Sequence, residues 1–101
     1  MPDTHRDFKD RLYAHFARVG KAVGSPHRIE MLELLAQGER TVDSLATEIG
    51  LSLANASQHL QALRQAALVD SRKDGLFVYY RLADPAVFEV CQAIRSIAER
   101  R

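Results

Sequence analysis

The residues best suited to binding chemistry lie in one run, SLANASQHLQALRQAALV, at positions 52–69. The first half of this run has small, hydroxyl or amide side chains: Ser52, Ala54, Asn55, Ser57, Gln58 and, one turn further on, Gln61. In the major groove of DNA, amides pair with adenine edges, hydroxyls bond to bases or phosphates, and small side chains let the backbone come close. We interpret these six residues as candidates for reading DNA. The alternative is that Asn55, Gln58 and Gln61 form an ordinary solvated helix face.

Other kinds of site chemistry have little support in the sequence. No Ser/His/Asp order, glycine-rich phosphate loop or carboxylate pair emerges, so we predict that the chain is not an enzyme. His5 and His15 are ten residues apart, which does not match the spacing of a helical metal chelate. The single cysteine, Cys91, excludes an internal disulfide. On an apolar helix stripe it is either a small packed hydrophobe or a candidate thiol sensor.

Composition places the chain among ordinary globular domains. It has 101 residues, 47% hydrophobic and 27% charged, and we treat residues 1–101 as a single domain. No apolar run is long enough to span a bilayer and the N-terminus lacks a signal peptide, which predicts a cytoplasmic protein. The net charge is +1, but residues 51–82 carry four basic and two acidic side chains. The weak positive balance therefore falls on the segment with the candidate DNA-reading residues.

Capping residues and apolar spacing predict the elements that position these side chains. Helices are predicted over residues 7–23, from 26 to Gly38, from 42 to Gly50, from 53 toward Val69, and over 85–100. The predicted N-caps of the second to fifth helices are Ser25, Thr41, Ser52 and Asp84. The fourth helix is apolar at the rear through Ala56, Leu60 and Leu63, while Leu53 fits either a thymine methyl or the interior. A tight turn at residues 50–51 joins the third and fourth helices.

The spacing of apolar residues changes after Val69 from a helical to a strand pattern, which predicts a β-hairpin. The segment LVDSRKDGLFVYYRL is β-branched and aromatic on both sides of Asp74-Gly75, which predicts a two-residue turn there. The order α-α-α-α-β-β-α, mainly α with a hairpin wing, is that of a winged helix-turn-helix. The wing tip, with Arg72, Lys73 and Gly75, is expected to carry charge to a flanking phosphate or the minor groove.

The long stretch SPHRIEMLELLAQGERTVDSLATEIGLSLANASQHLQALRQAALVDSRKDGLFVYYRLAD resembles the ArsR/SmtB family of prokaryotic winged-helix repressors. The most specific part holds Ser57, His59, Leu60, Leu63, Leu68, Val69, Gly75 and the run 80–82. In overall look the chain is closest to the DNA-binding domain of family members fused to a rhodanese domain. We expect either a stand-alone member or a piece of a longer protein.

The resemblance implies a homodimer that binds an operator and releases it when an inducer arrives. Family members dimerise through their first and last helices, which here carry Phe8, Leu12, Phe16 and Val19, with Val87, Cys91, Ile94 and Ala98 opposite. The family's metal-binding cysteines are replaced by Thr41, Asp43 and Ser44. The alternative site on the last helix keeps Asp84, but no histidine follows His59. The resemblance therefore implies double-stranded DNA as partner and no metal or other cofactor.

Together these observations predict a sequence-specific transcriptional repressor that binds a palindromic operator as a homodimer. One alternative is a winged-helix protein-interaction module with weak, non-specific DNA binding. Another is a constitutive DNA-binding protein with no inducer at all.

Overall fold

The computed structural model describes residues 4–100, so residues 1–3 and 101 of the predicted single domain lie outside the described part. The elements are α1 (Thr4–Ala22), α2 (Pro26–Ala36), β1 (Arg40–Thr41), α3 (Val42–Ile49), α4 (Leu53–Gln65), β2 (Val69–Asp74), β3 (Phe77–Leu82) and α5 (Pro85–Glu99). The predicted winged helix-turn-helix order is confirmed. One element, β1, is additional.

The helix boundaries follow from the capping residues. The side chains of Ser25, Thr41 and Ser52 each accept a hydrogen bond from the backbone N–H three residues on, at 3.1–3.4 Å. Asp84 accepts one from the N–H of Ala86 at 2.8 Å. All four predicted N-caps are therefore confirmed, because each satisfies a backbone donor that has no partner within its helix.

The C-terminal ends agree with the prediction at one helix and differ at another. Gly50 follows α3 with a φ of +83°, in the left-handed region that glycine enters at no steric cost. Helix α2 stops at Ala36, two residues before the predicted end at Gly38, and Gln37 caps it in a right-handed conformation. Gly38 follows with a φ of +151° and donates its N–H to the C=O of Leu35 at 3.1 Å.

The wing is a three-stranded antiparallel sheet in the order β1-β3-β2. Strand β1 pairs Arg40 with Tyr80, and its two residues are too few to show a strand period in the sequence. Asp74 pairs with Phe77, so the turn residues are Gly75 and Leu76 rather than the predicted Asp74-Gly75. Gly75 has a φ of +62° and Leu76 does not have positive φ. This pattern fits a type II′ turn, which takes glycine at its first central position.

The core holds the rear of α4 against α2, α3 and the base of the wing. Fully buried side chains come from each of these elements: Met31, Leu32, Leu45, Leu60, Leu63 and Val69. The predicted rear face of α4 is confirmed, since Ala56, Leu60 and Leu63 are all buried. Burial of this face fixes the helix and turns its opposite side toward solvent.

Helix α1 extends beyond the body of the domain. Its only buried residue is Ala22, and Phe8, Leu12, Tyr13 and Phe16 are exposed. The radius of gyration is 15.5 Å, whereas a compact chain of this length has about 13 Å. Most of the apolar face of α1 thus lacks a partner within residues 4–100.

We expect Ala67→Gly to stabilise the protein. The end of α4 is a Schellman motif, in which Leu68 N–H bonds to Leu63 C=O at 3.0 Å and Ala67 N–H to Arg64 C=O at 2.9 Å. Ala67 has a φ of +62°, a conformation that strains any residue with a Cβ. Removing that Cβ should raise the free energy of unfolding by about 1 kcal/mol and Tm by about 4–8 °C.

Urea and thermal denaturation measure this change. The matched control is Ala93→Gly, on the exposed surface of α5, which should lower the free energy of unfolding by about 1 kcal/mol because its φ is ordinary for a helix. Loss of stability in both variants would contradict the argument from strain at residue 67.

Candidate nucleic-acid interface

The front of α4 is a solvent-facing surface rich in hydrogen-bonding groups. Ala54, Asn55, Gln58 and Gln61 are exposed, and Ser57 is half-buried. Within residues 4–100 the side-chain amides of Asn55, Gln58 and Gln61 make no hydrogen bond. Four of the five candidates within this helix are therefore accessible to solvent, and the fifth, Ser57, is partly so. The amides of Asn55, Gln58 and Gln61 are free to bond to a ligand.

The first turn of α4 adds two features to this face. Ser52 is exposed, and its hydroxyl oxygen accepts the N–H of Asn55 at 3.1 Å, which leaves its proton available to an acceptor. Leu53 is 53% exposed, so the structure favours the thymine-methyl interpretation over interior packing. The helix N-terminus also presents unpaired backbone N–H groups that attract phosphate.

On the wing, Arg72 forms an ion pair with a residue of its own chain. Its guanidinium binds the carboxylate of Glu39 through two hydrogen bonds of 2.9 and 2.7 Å and lies 4.5 Å from the centre of the Tyr79 ring. This hydrogen bonding lowers the pKa of Glu39 and raises that of Arg72. Arg72 thus fastens the wing to the connection between α2 and β1. Glu39, which is 33 residues away, carries no sequence signal for this pairing.

The rest of the wing tip stays open to solvent. Lys73 and Gly75 are exposed, and Lys73 forms no ion pair in the described part of the chain. Leu76 is 97% exposed at the tip, a position that the sequence analysis assigned to no role. Lys73 is consequently the wing cation best placed to contact a phosphate.

His59 joins α4 to α2. Its Nδ1 accepts a hydrogen bond of 3.1 Å from Nε of Arg28, and its ring stacks on that of His27 at 5.6 Å between centroids. Burial first, and then the charges of Arg28 and His27, lower the pKa of His59. His59 therefore acts as a hydrogen-bond acceptor that packs between α4 and α2 and helps to position α4.

Acidification is expected to destabilise the protein through His59. The folded protein holds the ring deprotonated below its ordinary pKa of 6.5, whereas the unfolded chain binds a proton at that pKa. The unfolded state therefore binds more protons between the two pKa values. The free energy of unfolding should fall as the pH drops below 6.5, and this group has no effect at higher pH.

Urea denaturation at about pH 7.5 and about pH 5.5 measures this dependence. His59→Gln keeps an acceptor for Arg28 but does not titrate, so its loss of stability on acidification should be smaller. His15→Gln, on the exposed surface of α1, is the control and should behave like the native chain. An equal loss in His59→Gln and the native chain would refute the assignment.

The terminal helices present their apolar residues differently from the prediction. Val87 and Cys91, proposed for the dimer seam, are 6% and 4% exposed and pack in the core of their own protomer. Ile94 is half-buried and Ala98 is exposed. The accessible apolar residues of α5 are instead Phe88, Val90 and Ile97, because this helix packs one apolar face on α2 and leaves others open.

On α1, Phe8, Leu12 and Phe16 are exposed and Val19 is half-buried.

The environment of Cys91 favours packing over reactivity. Burial raises the pKa of its thiol, and the carboxylate of Glu33 adds to the rise. Glu33 in turn binds Arg95 through hydrogen bonds of 2.6 and 2.7 Å. Since thiolate is the reactive form, a raised pKa reduces reactivity at neutral pH. The packed-hydrophobe interpretation fits the structure, and the thiol-sensor hypothesis stays a prediction.

Neither a clustered metal site nor a bilayer span is found among residues 4–100. No three His, Cys, Asp or Glu side chains in this range come together in a way that could hold a metal ion. None of the described helices combines the length and apolar character that crossing a membrane requires.

A helix-turn-helix with an exposed amide face, followed by a sheet wing, defines the winged helix-turn-helix class. The sequence pattern of the bacterial regulatory proteins of the arsR family matches residues 25–71. A probable mercury resistance operon repressor of Streptomyces lividans is 30% identical over 98 residues, which cover 97% of this chain and 73% of that protein. The chain belongs to the arsR family.

Two mycobacterial proteins are more similar. The HTH-type transcriptional regulator Rv0324 of Mycobacterium tuberculosis is 42% identical over 93 residues, 92% of this chain. The chain spans only 41% of the length of that regulator. The homodimeric winged helix-turn-helix DNA-binding domain of Mb0332 from Mycobacterium bovis, solved by NMR, superposes with a TM-score of 0.85 at 41% identity. That match covers 92% of this chain and 86% of the solved domain.

Proposed function

We propose that the chain is a transcriptional repressor that binds a palindromic DNA operator as a homodimer. The observation that carries this proposal is the front of α4, where the amides of Asn55, Gln58 and Gln61 are solvent-facing and unpaired. The rear of the same helix is fixed in the core, so these amides are presented on a rigid element. Membership of a family of bacterial regulatory proteins supports the same function.

Specificity and affinity come from different parts of the surface. Leu53, Ala54, Asn55, Ser57, Gln58 and Gln61 supply the contacts to base edges. Lys73, the hydroxyl of Ser52 and the backbone N–H groups at the start of α4 supply contacts to phosphate. Arg72 contributes less than its charge suggests, because Glu39 neutralises it.

Dimerisation uses the open faces of the terminal helices. The exposed apolar residues of α1 and α5 are Phe8, Leu12, Phe16, Phe88, Val90 and Ile97. A second copy would cover them, and the homodimeric state of the Mb0332 domain supports this arrangement. Two-fold symmetry would place the two α4 helices in successive major grooves, about 34 Å apart.

Release by an inducer and action in the cytoplasm belong to the same proposal. A repressor has to reach the chromosome, and regulation requires that its operator affinity can change. This chain matches 41% of the length of Rv0324, so in that longer regulator the matching domain is joined to further segments.

Selection of binding sites from random duplexes tests the proposal. We expect enrichment of an inverted repeat with half-site centres about 10 base pairs apart, bound by two protomers per duplex. The variant Asn55→Ala with Gln58→Ala serves as control and should fail to enrich that repeat. Absence of any enriched sequence with the native chain would contradict the proposal and favour the protein-interaction alternative.

A further inference from the structure

A basic cleft lies where the end of α1 meets the start of α2 and the C-terminal half of α4. Its volume is about 240 Å³, and it is lined by Arg18, Lys21, Ala22, Arg28, Ala62, Gln65 and Ala66. Three of these residues are cations and none is acidic. The other lining groups are one amide and three small apolar side chains, which leave room between the charges.

The three cations have no counter-charge in the described part of the chain. Arg18, Lys21 and Arg28 form no ion pair there, whereas Arg6, Arg40, Arg72 and Arg95 each bind a carboxylate. Arg28 uses Nε to bond to His59, and its two terminal nitrogens make no hydrogen bond within residues 4–100. Like charges that converge without a carboxylate repel one another, and a bound anion would remove that repulsion.

We propose that this cleft binds a small multivalent anion with phosphate or carboxylate groups, and that its occupancy weakens operator binding. The second half of this inference rests on the proposed function. Arg28 lines the cleft and also donates a hydrogen bond to His59 of α4. An anion that draws the Arg28 guanidinium toward Arg18 and Lys21 therefore competes with this hydrogen bond. Loss of that bond loosens α4 on α2.

The position of the cleft separates it from the DNA-reading face. Gln65 lies ten residues after Asn55, about 15 Å further along the helix axis. The cleft takes its α4 residues from the C-terminal half of the helix, whereas Ala54, Asn55 and Gln58 lie in the N-terminal half. A small anion is therefore a better match for the cleft than the phosphate backbone of the bound operator.

Titration with inorganic pyrophosphate at constant ionic strength tests the site without DNA. In ¹⁵N-resolved NMR spectra we expect saturable shifts of the Arg28 Nε–H and the Gln65 side-chain amide. Replacing both Arg18 and Lys21 by Gln should weaken binding about tenfold or more, because two charge-assisted contacts are lost. Arg11→Gln removes one charge from α1 outside the cleft and should leave binding unchanged. Shifts that do not saturate, or that the double variant retains, would overturn the site.

Operator binding with and without pyrophosphate tests the coupling. We expect pyrophosphate to weaken binding by the native chain about tenfold and to have no effect on the Arg18→Gln, Lys21→Gln variant. An unchanged operator affinity with a filled cleft would overturn the regulatory half. Loss of operator affinity in the variant without pyrophosphate would show that these cations bind DNA, which also overturns it. Failure of the native chain to bind DNA without the anion would refute the proposed function, while the NMR titration still decides the site.

Discussion

Phe16→Glu should convert the protein to a monomer and lower operator affinity by about 100-fold or more. Phe16 is 61% exposed on α1, and Phe8, about two helical turns earlier, is 58% exposed, so most of both rings stays open to solvent in the described part of the protomer. A charge placed there would be buried without a partner in a dimer, and such burial is costly. A monomer binds one half-site and loses the gain of simultaneous engagement, which reaches about 10²–10⁴.

Light scattering measures the oligomeric state, and fluorescence anisotropy with the selected operator measures affinity. Ala14→Glu is the matched control, because it introduces the same charge into α1 about 200° around the helix from Phe16. The control should remain dimeric and bind normally. A dimeric Phe16→Glu variant with native affinity would contradict the proposed use of α1.

Gln58→Ala should reduce sequence selectivity, whereas Lys73→Ala should weaken binding to all duplexes alike. A bidentate amide contact to adenine discriminates by about 1–3 kcal/mol, and a homodimer makes each contact twice. The ratio of affinities for operator and shuffled duplex should thus fall at least about tenfold in Gln58→Ala. Affinity for the shuffled duplex should stay near the native value.

The salt dependence separates the second variant from the first. Lys73 is exposed without an ion pair in the described chain, so its loss should remove one phosphate contact per half-site. The slope of log affinity against log salt should decrease by about 2 for the dimer in Lys73→Ala and stay unchanged in Gln58→Ala. Equal losses on operator and shuffled duplex with both variants would contradict this division of roles.

The sequence predicted those parts of the fold that depend on local chemistry. Ser25, Thr41, Ser52 and Asp84 cap their helices as expected, because a side-chain oxygen and the N–H it accepts lie two or three residues apart. The two sides of α4 were also predictable, since residues that recur every three or four positions share one face. The exposure of Asn55, Gln58 and Gln61 follows from that period.

Long-range pairing and multi-faced helices could not be predicted in the same way. Arg72 and Glu39 are 33 residues apart, and Arg28 and His59 are 31 apart, so no local pattern joins them. Helix α5 has apolar residues around much of its circumference, and only packing on α2 shows that Val87 and Cys91 point inward. The turn at Gly75-Leu76 depends on strand register, which a one-residue shift changes.

Fluorescence anisotropy with the selected operator and a shuffled duplex of equal composition tests the central claim most directly. Both duplexes should be titrated at one fixed salt concentration, with the native chain and with the Asn55→Ala, Gln58→Ala variant. We expect the native chain to bind the operator about 1,000-fold more tightly than the shuffled duplex, and the variant to lose most of that difference. Equal affinities of the native chain for the two duplexes would contradict the claim that the front of α4 reads DNA sequence.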